Sequence, residues 1–167
     1  MTLKERIVAD LTAAMKAKDA DRLAVLRMLK SKMMEAEVAQ REKKGLAYVL
    51  EDPEAQAVIG AYAKQRRDSI DAYRQGGRED LAAKEEAEIA ILSEYLPQQL
   101  SEAEIRLLVD EGIAATGASS ARDLGKVMGW LAPRTRGRAD GKQVSALVAQ
   151  SLAAADLVAH DTGGHRA

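Results

Sequence analysis

Apolar residues recur along this chain at intervals of three and four, which is the spacing that places side chains on one face of an α-helix. The first such run consists of Leu3, Ile7, Leu11 and Met15. Thr2 and Glu5 stand at its start in the order of an N-terminal capping box. No segment alternates apolar and polar residues in the manner of a β-strand. The pattern therefore predicts an all-α protein.

Proline and glycine residues divide the first part of the chain into four predicted helices. The second helix is expected to run from about residue 22 to 44, and its polar end is expected to project into solvent or to fray. The third begins at Asp52-Pro53, an N-cap followed by proline at the first helical position. It ends at Gly76-Gly77, and Pro97 ends the fourth helix.

The segment from Tyr95 to Leu100 is the predicted domain boundary, because the helix signals begin again after it. Ser101 and Glu104 form a second capping box. A short helix follows that Pro133 is expected to end, and Asp140 can cap the last helix. We therefore predict an N-terminal helical domain over 1–97, a small three-helix domain over 98–155 and a flexible tail over 156–167.

Composition removes several classes of chemistry. The 167 residues include no cysteine and two histidines, His160 and His165. Disulfides, thiolate metal sites and cysteine nucleophiles are excluded, and a histidine-based catalytic or metal site is not expected. No apolar run approaches the roughly 18 residues of a membrane span, and the first residues lack the apolar block of a signal peptide. We expect a cytoplasmic protein without cofactor or metal.

The charge is unevenly distributed although the net charge is only −1. Residues 122–142 hold six basic and two acidic side chains, a local net charge of +4. Arginine suits phosphate groups, and the nearby Gly137 and Gly141 would let a backbone approach a ligand. The segment predicts a surface that contacts a phosphate backbone. An ordinary solvated turn between two helices is the alternative.

Two glycines and the only tryptophan lie in the short helix. Gly125 and Gly129 are four residues apart, and each costs about 1 kcal/mol of helix stability relative to alanine. Close packing against another helix is the favoured explanation, and close approach of an RNA strand is the alternative. Trp130 could stack on a base, but we expect it in the core of the small domain.

Sequence signatures of catalysis are missing. There is no phosphate-binding P-loop, no dinucleotide-binding glycine motif, no H-E-x-x-H zinc motif and no G-x-S-x-G nucleophile motif. Ser119 and Ser120 lie near Lys126, but they stand where a helix needs a cap. We predict no catalytic residue and expect that the chain is not an enzyme by itself.

Several longer motifs match a known family. They are Arg67-Asp68-Ser69-Ile70, Gly77-Arg78-Glu79-Asp80-Leu81-Ala82, Glu94-Tyr95-Leu96-Pro97-Gln98-Gln99-Leu100-Ser101, Gly117-Ala118-Ser119-Ser120, Asp123-Leu124-Gly125-Lys126-Val127-Met128-Gly129 and Gly137-Arg138-Ala139-Asp140-Gly141. In this order they closely resemble the YqeY-like (GatB/YqeY) family, over about Leu3 to Leu152. Trp130 and the segment 45–51 depart from the family pattern.

The resemblance implies two helical domains, of which the second is similar to the tail of the B subunit of the glutamine-dependent aminoacyl-tRNA amidotransferase. That tail grips the outer corner of tRNA. Carried over, it makes Lys126, Gly129, Arg138 and Gly141 candidate tRNA contacts. The family is also associated with carbon–nitrogen ligase activity that uses glutamine as amido-N-donor, but the active sites of the amidotransferase lie in parts with no counterpart among these motifs.

The leading hypothesis is a non-catalytic protein that binds the tRNA backbone through its C-terminal domain. Its candidate nucleic-acid-binding residues are Arg122, Lys126, Gly129, Arg134, Arg136, Arg138, Gly141 and Lys142. The first alternative is an accessory protein of the amidotransferase, with its subunits as partners. The second is a helical protein-interaction adaptor that uses the methionine-rich second helix.

Overall fold

A computed structural model describes residues 1–162, which form seven α-helices and one short 3₁₀-helix without any strand. The prediction of an all-α protein is confirmed. The helices are α1 (Leu3–Lys16), α2 (Ala20–Lys44), α3 (Asp52–Gln75), α4 (Glu79–Ser93), α5 (Glu102–Thr116), η1 (Ala121–Asp123), α6 (Leu124–Thr135) and α7 (Gly141–Thr162). No helix within the described part is long and apolar enough to cross a membrane. The chain divides into two compact units, Met1–Pro97 and a second that begins at Gln98.

Capping side chains begin α1 and α5 where the sequence predicts. Thr2 and Ser101 each accept the backbone N–H of the third helical residue, whose glutamate side chain accepts the N–H of the cap residue in return. The start of α3 differs, because Glu51 rather than Asp52 is its N-cap. The Asp52 carboxylate instead accepts the N–H of Leu3 at 2.8 Å, which ties the first turn of α3 to the first turn of α1.

The polar end of α2 does not fray, and most of its side chains project into solvent, which is the other alternative that the sequence left open. Glu37 is the exception. The helix continues to Lys44, and the side chain of Glu37 is only 3% exposed. Glu37 forms an ion pair with Lys4 of α1 and accepts the Leu50 N–H at 3.2 Å. Burial acts to raise the pKa of Glu37, but the hydrogen bonds from Lys4 and Leu50 and the charge of Arg41 prevail and lower it.

The first unit has one apolar core. Its largest fully buried side chains are Ile7, Leu26, Leu29, Met33, Ile59 and Leu92, which come from α1 to α4. The methionines of α2 divide between two environments, since Met33 is buried whereas Met28 and Met34 are exposed. The three methionines are therefore close in sequence but do not form a single exposed surface.

Helices α5, α6 and α7 form the core of the second unit. It contains Ile105, Val109, Val127, Leu131, Val144, Val148 and Leu152. Pro133 lies inside α6, which continues to Thr135, instead of ending the helix as predicted. Helix α7 continues to Thr162, so the tail predicted from residue 156 is helical over its first part. The rest of that prediction falls outside the described residues.

Candidate functional site

The solvent-facing side of α6 carries two of the predicted contact residues. Val127 and Leu131 are buried on one side of the helix, and an exposed set lies on the other. This set, with Arg122 from the preceding η1 turn, is called here the basic α6 face: Arg122, Gly125, Lys126, Gly129 and Pro133. Because proline has no N–H, Pro133 also removes the regular helical donor of the Gly129 carbonyl.

The two glycines of this face are not explained by packing within the unit. A Cβ atom added at Gly125 or Gly129 meets nothing within 4 Å. Close helix packing, the explanation favoured from sequence, is therefore wrong for both positions. The close approach is at Gly112 of α5, where an added Cβ would lie 2.9 Å from Cε3 of Trp130. Sequence reasoning missed Gly112, and its only signal was a glycine inside the apolar run of α5.

Trp130 packs against the core of the second unit, as predicted. The guanidinium carbon of Arg134 lies 3.6 Å from the centre of its ring, and Nη1 of Arg134 donates a hydrogen bond to the Trp130 carbonyl at 2.6 Å. A cation held over an aromatic face is stabilised there. Arg134 is therefore engaged by its own helix.

Arg138 fixes the loop between α6 and α7. Its Nε donates to the carbonyl of Gln98 at 3.1 Å, and its own carbonyl accepts the Leu100 N–H at 2.8 Å. Gln99 Nε2 donates to the carbonyl of Gly137 at 2.9 Å. Gly137 has a φ of 75°, so its role is to form the turn. Arg138 therefore holds the α6–α7 loop against the segment that precedes α5.

The predicted contact residues consequently have different environments. Arg122 and Lys126 share the basic α6 face with Gly129, and Arg136 is exposed just after α6. Gly141 begins α7, where the Asp140 carboxylate accepts the N–H of Lys142 at 3.3 Å. The structure thus brings part of the set together and gives Arg134 and Arg138 other partners.

The Glu94-Tyr95 motif holds three helices of the first unit together. Glu94 forms a two-pronged ion pair with Arg22 of α2, with nitrogen–oxygen distances of 2.7 and 3.1 Å. Tyr95 is 2% exposed, and its hydroxyl donates to Asp10 of α1 at 2.6 Å. Burial, together with this hydrogen bond, raises the pKa of Tyr95 well above its usual range. The motif therefore has a structural role, because Glu94 and Tyr95 both form contacts that join helices of the first unit.

A second polar network links α3 to α4. Arg66 binds Glu85 through two hydrogen bonds of 2.9 and 3.1 Å and donates from Nη2 to the Tyr62 hydroxyl at 2.7 Å. Its Nε lies 3.4 Å from Oε2 of Glu88. Burial raises the pKa of Glu88 although Arg66 opposes the shift. Over the described part of the chain, no three histidine or acidic side chains are placed to hold a metal ion.

Several fungal proteins are similar to this chain. A protein of Lachancea thermotolerans named "Altered inheritance of mitochondria protein 41, mitochondrial" is 31% identical over 149 residues, which covers 86% of this chain and 77% of that protein. Proteins of the same name from Pyrenophora tritici-repentis and Eremothecium gossypii are 28% and 33% identical, and cover 89% and 52% of this chain. The chain spans about half the length of the Eremothecium protein, of which 45% is matched.

These relatives overturn two expectations. Their names place them in mitochondria, which contradicts the prediction of a cytoplasmic protein. The absence of cysteine excludes disulfides but does not specify a compartment. The names refer to inheritance of mitochondria and not to tRNA, so the prediction of a tRNA-associated protein is also wrong. Its charge argument counted Arg134 and Arg138, which have partners in their own unit.

The family model described as "Yqey-like protein" matches residues 4–152. This range extends from the first turn of α1 to Leu152, the last buried side chain of α7. It includes the core of the second unit and, apart from Leu3, the core of the first. The chain belongs to the Yqey-like protein family.

Proposed function

We propose that this chain acts in the inheritance of mitochondria, the process recorded in the names of its fungal relatives, and that it works inside that organelle. The observation that carries the proposal is the 31% identity to the Lachancea protein, because the alignment covers 77% of that protein. A match of this extent involves both compact units, and the whole protein is therefore the relevant unit of function.

The basic α6 face is the surface that we assign to this role, with an acidic protein surface as its partner. Arg122 and Lys126 give the face two exposed positive charges. Gly125 and Gly129 leave open space where side chains would otherwise stand, so another backbone can come close. Opposite charges steer such an encounter and fix its orientation.

A complementation experiment tests the proposal. The chain, preceded by a mitochondrial targeting peptide, is expressed in Saccharomyces cerevisiae that lacks its own relative, and the fraction of buds that receive mitochondria is scored. We expect restoration with the targeting peptide and none without it. Failure of the targeted chain in cells where the yeast relative itself restores inheritance would overturn the proposal.

Charge-reversal variants test whether the basic α6 face is needed, independently of the proposed role in inheritance of mitochondria. Lys126→Glu should abolish restoration, because it places a negative charge in the centre of the basic α6 face, whereas Lys30→Glu on an exposed position of α2 is the matched control. Equal restoration by both variants, at equal protein levels, would reject the basic α6 face and leave the proposed process standing.

A further inference from the structure

A groove between α2 and α3 in the first unit is separate from the surfaces described above. It has a volume of about 320 Å³. Ala36, Val58, Ala61 and Tyr62 provide the apolar part of the lining, and the polar part consists of Lys32, Glu35 and Gln65. Small-molecule sites are concave and mostly apolar, with a few polar groups that orient the ligand, and occupy about 300 to 1,000 Å³.

The floor of the groove is held rigidly. The side chain of Tyr62 is buried, and its hydroxyl accepts a hydrogen bond from Arg66 at 2.7 Å. Arg66 is in turn fixed by its two hydrogen bonds to Glu85 of α4. A lining that is already ordered costs less conformational entropy when a ligand binds.

The two charged residues of the groove are available to a ligand. The Lys32 ammonium lies 5.3 Å from the centre of the Tyr62 ring, a distance typical of a cation–π contact. Lys32 and Glu35 are three residues apart on α2, which places them on neighbouring positions of one helix surface. Yet neither forms a salt bridge within residues 1–162. One cation, which stands over the Tyr62 ring, and one carboxylate, both without a salt bridge, therefore border a single apolar groove.

We propose that this groove binds a free α-amino acid with an aliphatic side chain. The ligand's carboxylate contacts Lys32, its ammonium group contacts Glu35, and its side chain packs on Val58 and Ala61. The assignment follows from charge complementarity, because an α-amino acid carries both charges close together at neutral pH. The small volume suits a single amino acid. This inference is independent of the function proposed for the basic α6 face.

The test is a titration of the full chain with L-leucine, followed through backbone amide signals in NMR spectra. We expect a saturable shift of the amides around Lys32 and Tyr62, with a dissociation constant on the order of 1 mM for so small a ligand in an open groove. Two leucine analogues test the charged contacts separately. Isocaproate is leucine without its ammonium group, and isopentylamine is leucine without its carboxylate. Each should bind about tenfold more weakly, since each loses one charge-assisted contact.

Two variants assign the contacts. Glu35→Gln should weaken leucine about tenfold and leave isocaproate unchanged, and Lys32→Gln should do the same for leucine and leave isopentylamine unchanged. Lys30→Gln and Glu42→Gln, at exposed positions of the same helix, are the matched controls and should bind like the natural chain. Thermal unfolding verifies that each variant is folded. Absence of a saturable shift, or equal binding by all four variants, overturns the proposal.

Discussion

At the scale of single residues, the surroundings of a side chain decide its role more than its type does. Gly112, Gly125 and Gly129 all lie inside helices, but only Gly112 has a neighbour where a Cβ atom would stand. Arg122, Lys126 and Arg134 are all exposed, but Arg134 contacts the Trp130 ring and Arg138 binds the Gln98 carbonyl. Predictions about these residues therefore depend on contacts that the residue type does not reveal.

Alanine substitutions should distinguish the glycines. Gly129→Ala should stabilise the chain by about 1 kcal/mol, because alanine is the better helix former and the added Cβ meets open space. Gly112→Ala should destabilise it by about 1 to 3 kcal/mol, because the new atom would overlap the ring of Trp130. Urea unfolding measures both. If the two changes had the same sign, the assigned packing of Trp130 would be incorrect.

The buried carboxylate of Glu37 should make stability depend on pH. Its pKa is lowered below the ordinary value of 4.5 in the folded chain, so its contribution is complete above that value and is lost as the pH falls through the folded pKa. Glu37→Gln should lower the free energy of unfolding by about 2 kcal/mol at neutral pH. It should also weaken the dependence of this free energy on pH at acidic pH. Denaturant titrations from pH 3 to 7 measure this, with Glu42→Gln as the exposed control on the same helix.

At the scale of helices, side chains far apart in the sequence decide how the elements are joined. Glu94 and Tyr95 follow α4 and contact Arg22 of α2 and Asp10 of α1. Asp52 at the start of α3 holds the first turn of α1. The Glu94-Tyr95 motif, which carries much of the family resemblance, therefore acts as a connection between helices of the first unit.

Removal of the Tyr95 hydroxyl should weaken this connection by a moderate amount. Tyr95→Phe leaves the ring in the core and deletes the hydrogen bond to Asp10 and the longer one from Arg22 at 3.3 Å. Asp10 can still bind water because it is partly exposed. We expect a loss of about 1 kcal/mol in the free energy of unfolding. Tyr73→Phe is the matched control. Thermal unfolding monitored by circular dichroism should show the lower midpoint for Tyr95→Phe alone.

At the scale of the whole molecule, the chain contains two separate apolar cores. One includes Leu26 and Met33, and the other includes Val127 and Leu131. The family match covers both, which is why the proposed role in inheritance of mitochondria is assigned to the two units together. The proposed organelle rests on the names of the relatives, since the composition does not specify it.

A core substitution should affect one unit. Leu131→Ala creates a cavity in the core of the second unit. It should lower the free energy of unfolding of that unit by about 2 to 5 kcal/mol. Hydrogen exchange measured by mass spectrometry should show faster exchange in α5 to α7, with little change in α1 to α4. The complementary variant Leu26→Ala should reverse this pattern. Equal acceleration throughout the chain would mean that the two cores unfold as one.

The sequence by itself determined the helical class of the fold and the exact start of α1 and α5. Thr2 and Ser101 form hydrogen bonds with residues only three positions away, and the apolar spacing reports on a face formed within a few turns. Such local interactions are encoded in neighbouring residues. Only the tertiary structure decided that Gly112 is the packed glycine, that Glu37 is buried and that Arg138 binds the Gln98 carbonyl. These properties depend on partners that come from distant parts of the chain, and no local pattern specifies them.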